Sequence, residues 1–120
     1  MACNRKIAFV TSSVVPGAEG TVKVKKDNNG NNAVQVKVVN LADPQRLSIP
    51  SNTYVVWMES SDGVKNIGQI KSSTGLLSST RKGELETISP FKPTRIFITG
   101  ESDGNVQYPG NLVVLSTRSF

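Results

Sequence analysis

The apolar residues of this chain come in runs of four or five, and the runs stop at turn formers. Tyr54-Val55-Val56-Trp57-Met58 passes through Glu59 and Ser60 into Ser61-Asp62-Gly63. Phe97-Ile98-Thr99 leads through Gly100 and Gly104 to Tyr108-Pro109-Gly110-Asn111, and then into Leu112-Val113-Val114-Leu115. Runs this short, rich in β-branched and aromatic side chains and bounded by Gly, Pro, Asn and Asp, are strand signals; a helix needs a longer segment with a 3.6-residue period. The chain therefore reads as all-β.

Ile7 to Val10 reads as a first strand, with residues 1–6 left as a tether. Thr21 to Lys26 and Ala33 to Leu41 form a hairpin around Asp27-Asn28-Asn29-Gly30-Asn31-Asn32, whose residues tolerate positive φ. Asp43-Pro44 through Pro50 breaks the pairing, because proline fixes φ and removes a backbone donor, and so makes a crossover. Thr53 to Ser60 and Val64 to Lys71 form a second hairpin whose tight turn carries Asp62-Gly63. Glu84 to Ser89, Arg95 to Thr99 and Leu112 to Thr117 complete the set. Seven or eight strands without a repeat, in 120 residues of 37% hydrophobic content, predict one domain over residues 1–120: an immunoglobulin-like antiparallel β-sandwich.

Histidine is absent, which removes the commonest general base near neutral pH and excludes triads and histidine-containing zinc sites. Carboxylates are the remaining catalytic candidates. The alternative is a carboxylate-dependent hydrolase, cleaving for example a glycosidic bond with Glu59, Glu84, Glu86 or Glu101 as acid and base; Glu84 and Glu86 share a strand face ~6–7 Å apart, solvated glutamates on a sheet are the simpler reading, and no enzyme is expected. Glu59-Ser60-Ser61-Asp62-Gly63 and Glu101-Ser102-Asp103-Gly104-Asn105 invite calcium, but neither has the Asp-x-Asp-x-Asp-Gly spacing of an EF-hand loop, and hairpin chemistry accounts for both. No cofactor or metal is expected.

Fourteen basic residues against nine acidic give a net charge of +5, and the surplus lies before residue 51: Arg5, Lys6, Lys23, Lys25, Lys26, Lys37 and Arg46 against Glu19, Asp27 and Asp43. Lys23, Lys25 and Lys37 alternate with valines and so point away from a core. Such lysines solvate a sheet face and discourage edge aggregation. The alternative is nonspecific polyanion or nucleic-acid binding, which predicts affinity that falls steeply with salt; no specific nucleic acid is expected, since neither an aromatic-rich RNA-binding motif nor a basic helix is present.

Tyr54 and Trp57, Asp62-Gly63, Gly68-Gln69-Ile70, then Ile98-Thr99-Gly100-Glu101-Ser102-Asp103-Gly104 and Pro109-Gly110 before an apolar strand form an ordered set. In that order they resemble the extracytoplasmic C-terminal domain of anti-sigma-K-type factors, over roughly residues 53–115. The resemblance implies an all-β module on the outer side of a bacterial inner membrane. Sigma binding in that family belongs to a separate cytoplasmic helical domain, so a sigma factor is not an expected partner of the residues here. The first half looks like part of a small family of bacterial envelope proteins, and no activity comes with that likeness.

No apolar stretch approaches the ~20 residues of a bilayer-spanning helix. Ala2 before Cys3 is also what surrounds the cleavage point of a bacterial lipoprotein signal, so Cys3 is either a site of lipidation that anchors the domain to a membrane or an incidental thiol. The expected localisation is the bacterial cell envelope, on the periplasmic side or lipid-anchored. Trp57 reads as the core anchor of the sandwich, facing opposite to Tyr54 because their separation is odd. The expected role is a non-catalytic envelope module, binding or structural, that recognises a protein or envelope polymer through its loops. Contact residues are Leu76 and Leu77 in the serine- and threonine-rich segment from Ser72 to Gly83, where burial under the loop is the simpler reading, and Glu101, Asp103 and Tyr108 in the loop from Glu101 to Gly110.

Overall fold

Alternation of valine with polar residues builds the first sheet, and unbroken apolar runs build the second. In a computed structural model, residues 4–10, 15, 17–41, 51–73 and 82–120 are described, and they form nine strands. These are β1 (Asn4–Ala8), β2 (Glu19–Lys26), β3 (Asn32–Val39), β4 (Thr53–Ser60), β5 (Gly63–Gln69), β6 (Lys71–Ser73), β7 (Lys82–Ser89), β8 (Arg95–Glu101) and β9 (Val113–Ser116). They pair in two antiparallel sheets, in the orders β1-β2-β3-β7-β6 and β5-β4-β8-β9. Leaving β1 aside, β2-β3-β7-β6 and β5-β4-β8-β9 reproduce the A-B-E-D and C′-C-F-G orders of an immunoglobulin sandwich. The expected all-β, immunoglobulin-like sandwich is the observed fold.

Val22 and Val24 on β2 and Val34, Val36 and Val38 on β3 face inward and meet Tyr54, Val56, Met58, Ile96, Ile98 and Leu115 from the other sheet. Met58, Ile96 and Ile98 are fully buried, and each contributes about 1.5–3 kcal/mol of hydrophobic stabilisation. The β2–β3 loop is held by Asp27, whose Oδ1 accepts from the backbone N–H groups of Asn29 and Asn31, both at 2.9 Å, while Gly30 supplies a φ of 80°. In the β4–β5 turn the positive φ falls at Gly63 (107°), and Ser61 and Asp62 keep negative φ. That is a type I turn closed by a glycine bulge.

Two elements differ from the sequence reading. The strand foreseen over Val64 to Lys71 is two strands: β5 belongs to the four-stranded sheet, the chain crosses at Ile70, and β6 pairs with β7 in the other sheet. Gly68, with φ 132°, sits just before the crossing, where β5 bulges against Val56 and Trp57. The first strand begins at Asn4, so residues 4–6 are ladder partners of Lys25, Val24 and Lys23 instead of a tether. Val10 then reaches the opposite sheet, where its N–H donates to the Ser116 carbonyl at 2.8 Å. The N-terminal segment thus ties both layers together.

Candidate functional site

The two faces of β4 and β8 are both covered. Tyr54, Val56 and Met58 look into the space between the sheets, while Val55 and Trp57 look out, with Phe97 of β8 as Trp57's cross-strand partner. Trp57 is 0% exposed, and its ring stacks on Phe97 with centroids 6.4 Å apart and planes 17° from parallel. Arg95 lays its guanidinium 4.8 Å from the Phe97 ring centroid and pairs with Glu59 at 3.4 Å, closing that end of the outer face. Trp57 is therefore fully buried as expected, yet it does not anchor the inter-sheet core: it centres a second, smaller core on the outside of the four-stranded sheet.

The cover is the loop between β8 and β9, residues 102–112, whose Val106 packs on Val55, Trp57 and Phe97. Polar contacts fasten it at several points. The Trp57 indole N–H donates to Thr99 Oγ1 at 2.8 Å, the Thr99 hydroxyl donates to Glu101 Oε2 at 2.6 Å, and the Gly110 N–H donates to the same Glu101 oxygen at 2.8 Å. Asn66 of β5 donates its side-chain amide to the carbonyls of Gly104 and Val106, each at 2.9 Å. Gly104 lies so close to the Gln69 side chain that a Cβ there would fall 2.0 Å from its Cδ. Asn52 adds a bond to the Ser102 carbonyl at 3.0 Å.

Of the contact residues expected from sequence, Glu101 accepts at Oε2 from the Thr99 hydroxyl and the Gly110 N–H, tying the far end of this loop to β8. Asp103 is exposed and accepts the Asn105 N–H at 2.9 Å, an Asx turn within the loop. Tyr108 is 83% exposed, the most exposed large hydrophobic among the described residues. Cys3, Leu76 and Leu77 lie outside the described residues. The open groove beside the loop, about 560 Å³, is lined by Asn66, Gly68 and Gln69 on one side and Gly104, Asn105 and Gln107 on the other.

The two acidic turns considered for calcium are not neighbours. Glu59 pairs in register with Arg95 and Glu101 with Thr53, which puts them at opposite ends of the β4–β8 ladder, roughly 20 Å apart at the strand rise. Among the described residues no three of Cys, Asp and Glu gather to hold a cation. Glu84 and Glu86 share an exposed face of β7, and Glu86 Oε1 accepts the Gln35 side-chain amide at 2.6 Å.

Sequence reasoning missed Thr99, Asn66 and Val106 as the fastenings of the loop. The signal for a covered outer face was present: β3 buries alternate residues, whereas five consecutive residues are buried in β4 and in β8, and a strand covered on both faces reads as a continuous apolar run. Trp57, Thr99, Glu101 and Gly110 form one hydrogen-bonded chain. No family model, curated protein or solved structure matches this chain. Fold and site define it as an immunoglobulin-like sandwich that carries a packed loop on the outside of one sheet.

Proposed function

We propose that this protein is a non-catalytic recognition module of the bacterial cell envelope, contacting a protein or envelope polymer through the β8–β9 loop. The observation that carries the reading is Tyr108: a large aromatic, 83% exposed, on a loop whose backbone is bonded by Asn52, Asn66 and Glu101 and whose Val106 packs on the Trp57 core. An aromatic presented on a rigid support loses little conformational freedom on binding and supplies contact area with a polar tip, which is how recognition loops concentrate affinity. The buried fastenings supply the rigidity, and the exposed residues Asp103, Asn105, Gln107 and Tyr108 supply the contact. Envelope placement rests on the resemblance of residues 53–115 and on Cys3 as an anchor, and intact mass with membrane fractionation of the protein expressed from its native gene start tests it.

The loop reading is tested by a photo-crosslinking amino acid at position 108, with position 92 as control because Lys92 is exposed on a different turn. In cells, position 108 should yield a discrete adduct that position 92 does not. The same adducts from both positions, or none from either, would end the proposal. Tyr108→Ala should leave the melting temperature unchanged, since the side chain buries almost nothing.

A further inference from the structure

The outward face of the five-stranded sheet carries a basic strip that the sandwich itself does not explain. Lys6 of β1 stands directly opposite Lys23 of β2, and Lys25 follows two residues along on the same face. Like charges directly opposed across a sheet are destabilising. None of Lys6, Lys23, Lys25 and Lys37 forms an ion pair with a described residue. The acids of that face have company further over: Glu86 takes the Gln35 amide, and Glu84 stands opposite Lys37 in register. Lysines do protect the edges of sheets, but of the strands that carry these four only β1 is an edge; β2 and β3 are interior. Edge protection therefore accounts for Lys6, and Glu84 stands opposite Lys37, which leaves Lys23 and Lys25 without an opposed acid.

The chemistry of the face selects among anionic partners. Its described cations are all lysines, compact point charges without the bidentate fork of arginine, and no aromatic side chain stands among them for a base to stack on. Arg5 lies on the inward side of β1, its guanidinium 5.6 Å from the Phe120 ring centroid. One large apolar side chain is well exposed on this face: Ile88, 63% exposed, lies in the same cross-strand row as Lys25 and Ala33. Small Ala33 between them leaves a shallow depression lined by Lys23, Lys25, Gln35, Glu86 and Ile88. Lys23 and Lys25 across the depression from an exposed aliphatic side chain, with Glu86 engaged by Gln35, suit a surface that is anionic at its headgroups and apolar just beneath them.

We propose that this face docks on an anionic phospholipid membrane, with Lys6, Lys23 and Lys25 at the headgroups and Ile88 dipping toward the acyl boundary. The inference stands on the sheet face and is independent of the β8–β9 loop, so Tyr108→Ala should bind membranes as the native protein does.

The experiment is flotation of the full chain carrying Cys3→Ser, so that no lipid anchor contributes, with vesicles of phosphatidylcholine alone, and with vesicles in which about one lipid in three is phosphatidylglycerol. Binding is expected only to the anionic vesicles and should fall as salt rises from about 0.05 to 0.5 M, where the screening length shrinks several-fold. Replacing Lys6, Lys23 and Lys25 together by Gln should weaken it by roughly a hundredfold, about fivefold per lysine. Ile88→Ser should weaken vesicle binding several-fold while leaving retention on a short DNA duplex untouched. Circular dichroism and melting confirm that each variant is folded. Absence of flotation, equal flotation with neutral vesicles, or an Ile88→Ser variant that binds vesicles and duplex alike with the native salt dependence would overturn the proposal, the last by reducing the face to a general polyanion surface.

Discussion

Thr99 is fully buried, and its one hydroxyl serves two partners, accepting from the Trp57 indole and donating to Glu101. Thr99→Val keeps the shape and removes both bonds. The indole N–H is then left inside the outer core without an acceptor, which costs about 1–3 kcal/mol, and Thr99→Ser should recover most of that loss. Urea denaturation of the three proteins measures it; a Thr99→Val protein as stable as the native one would mean that the relay contributes nothing. At this scale the sequence was partly legible. The odd separation of Tyr54 and Trp57 put them on opposite faces, as they are, but choosing which face looked inward needed knowledge of what covers each, and that depends on Val106, 49 residues beyond Trp57 in the chain. The unbroken apolar run of β4, residues 54–58, against the valine alternation of β3, carried the answer, because alternation fails where both faces are dry.

At the scale of elements, the β8–β9 loop behaves as a lid whose far end is held through Glu101. Glu101→Ala removes the acceptor of the Gly110 N–H and of the Thr99 hydroxyl, so the end of the loop loses its anchor while Val106 and the Asn66 bonds stay. Trp57 is the only tryptophan of the chain and lies under this loop, so its fluorescence reports the cover directly. Acrylamide quenching of Trp57 should rise in Glu101→Ala and stay low in Tyr108→Ala; equal quenching in these two variants and the native protein would show that the loop is held without Glu101. The junction between β5 and β6 makes a second element-scale claim. Gly68 has φ 132°, and a Cβ there would meet Leu85 Cδ1 at 3.0 Å. Gly68→Ala should therefore lose about 1–3 kcal/mol from backbone strain alone, read as a lower urea midpoint. From sequence the strand over Val64 to Lys71 looked continuous, because a strand that changes sheets keeps its β-forming residues throughout; only the glycine marks the crossing.

For the whole molecule, the open question is whether the outer core unfolds with the sandwich or separately. Val55 and Trp57 alternate with Val56 and Met58 along β4, and Phe97 sits between Ile96 and Ile98 on β8, so the two cores are opposite faces of the same ladder. A strand cannot surrender one face and keep its register on the other, since both depend on the same backbone hydrogen bonds. Local opening of the loop exposes Trp57 without breaking the ladder, but loss of the ladder dissolves both cores at once. Trp57 fluorescence and far-ultraviolet circular dichroism should thus give coincident urea transitions, the mark of a single cooperative unit. Ile98→Ala, which touches only the inter-sheet core, should move both transitions together by about 2–5 kcal/mol. Fluorescence that changes at lower urea than circular dichroism would show the outer core to be a separable layer laid on an independent sandwich; Ile98→Ala would then shift the later transition and leave the earlier one in place.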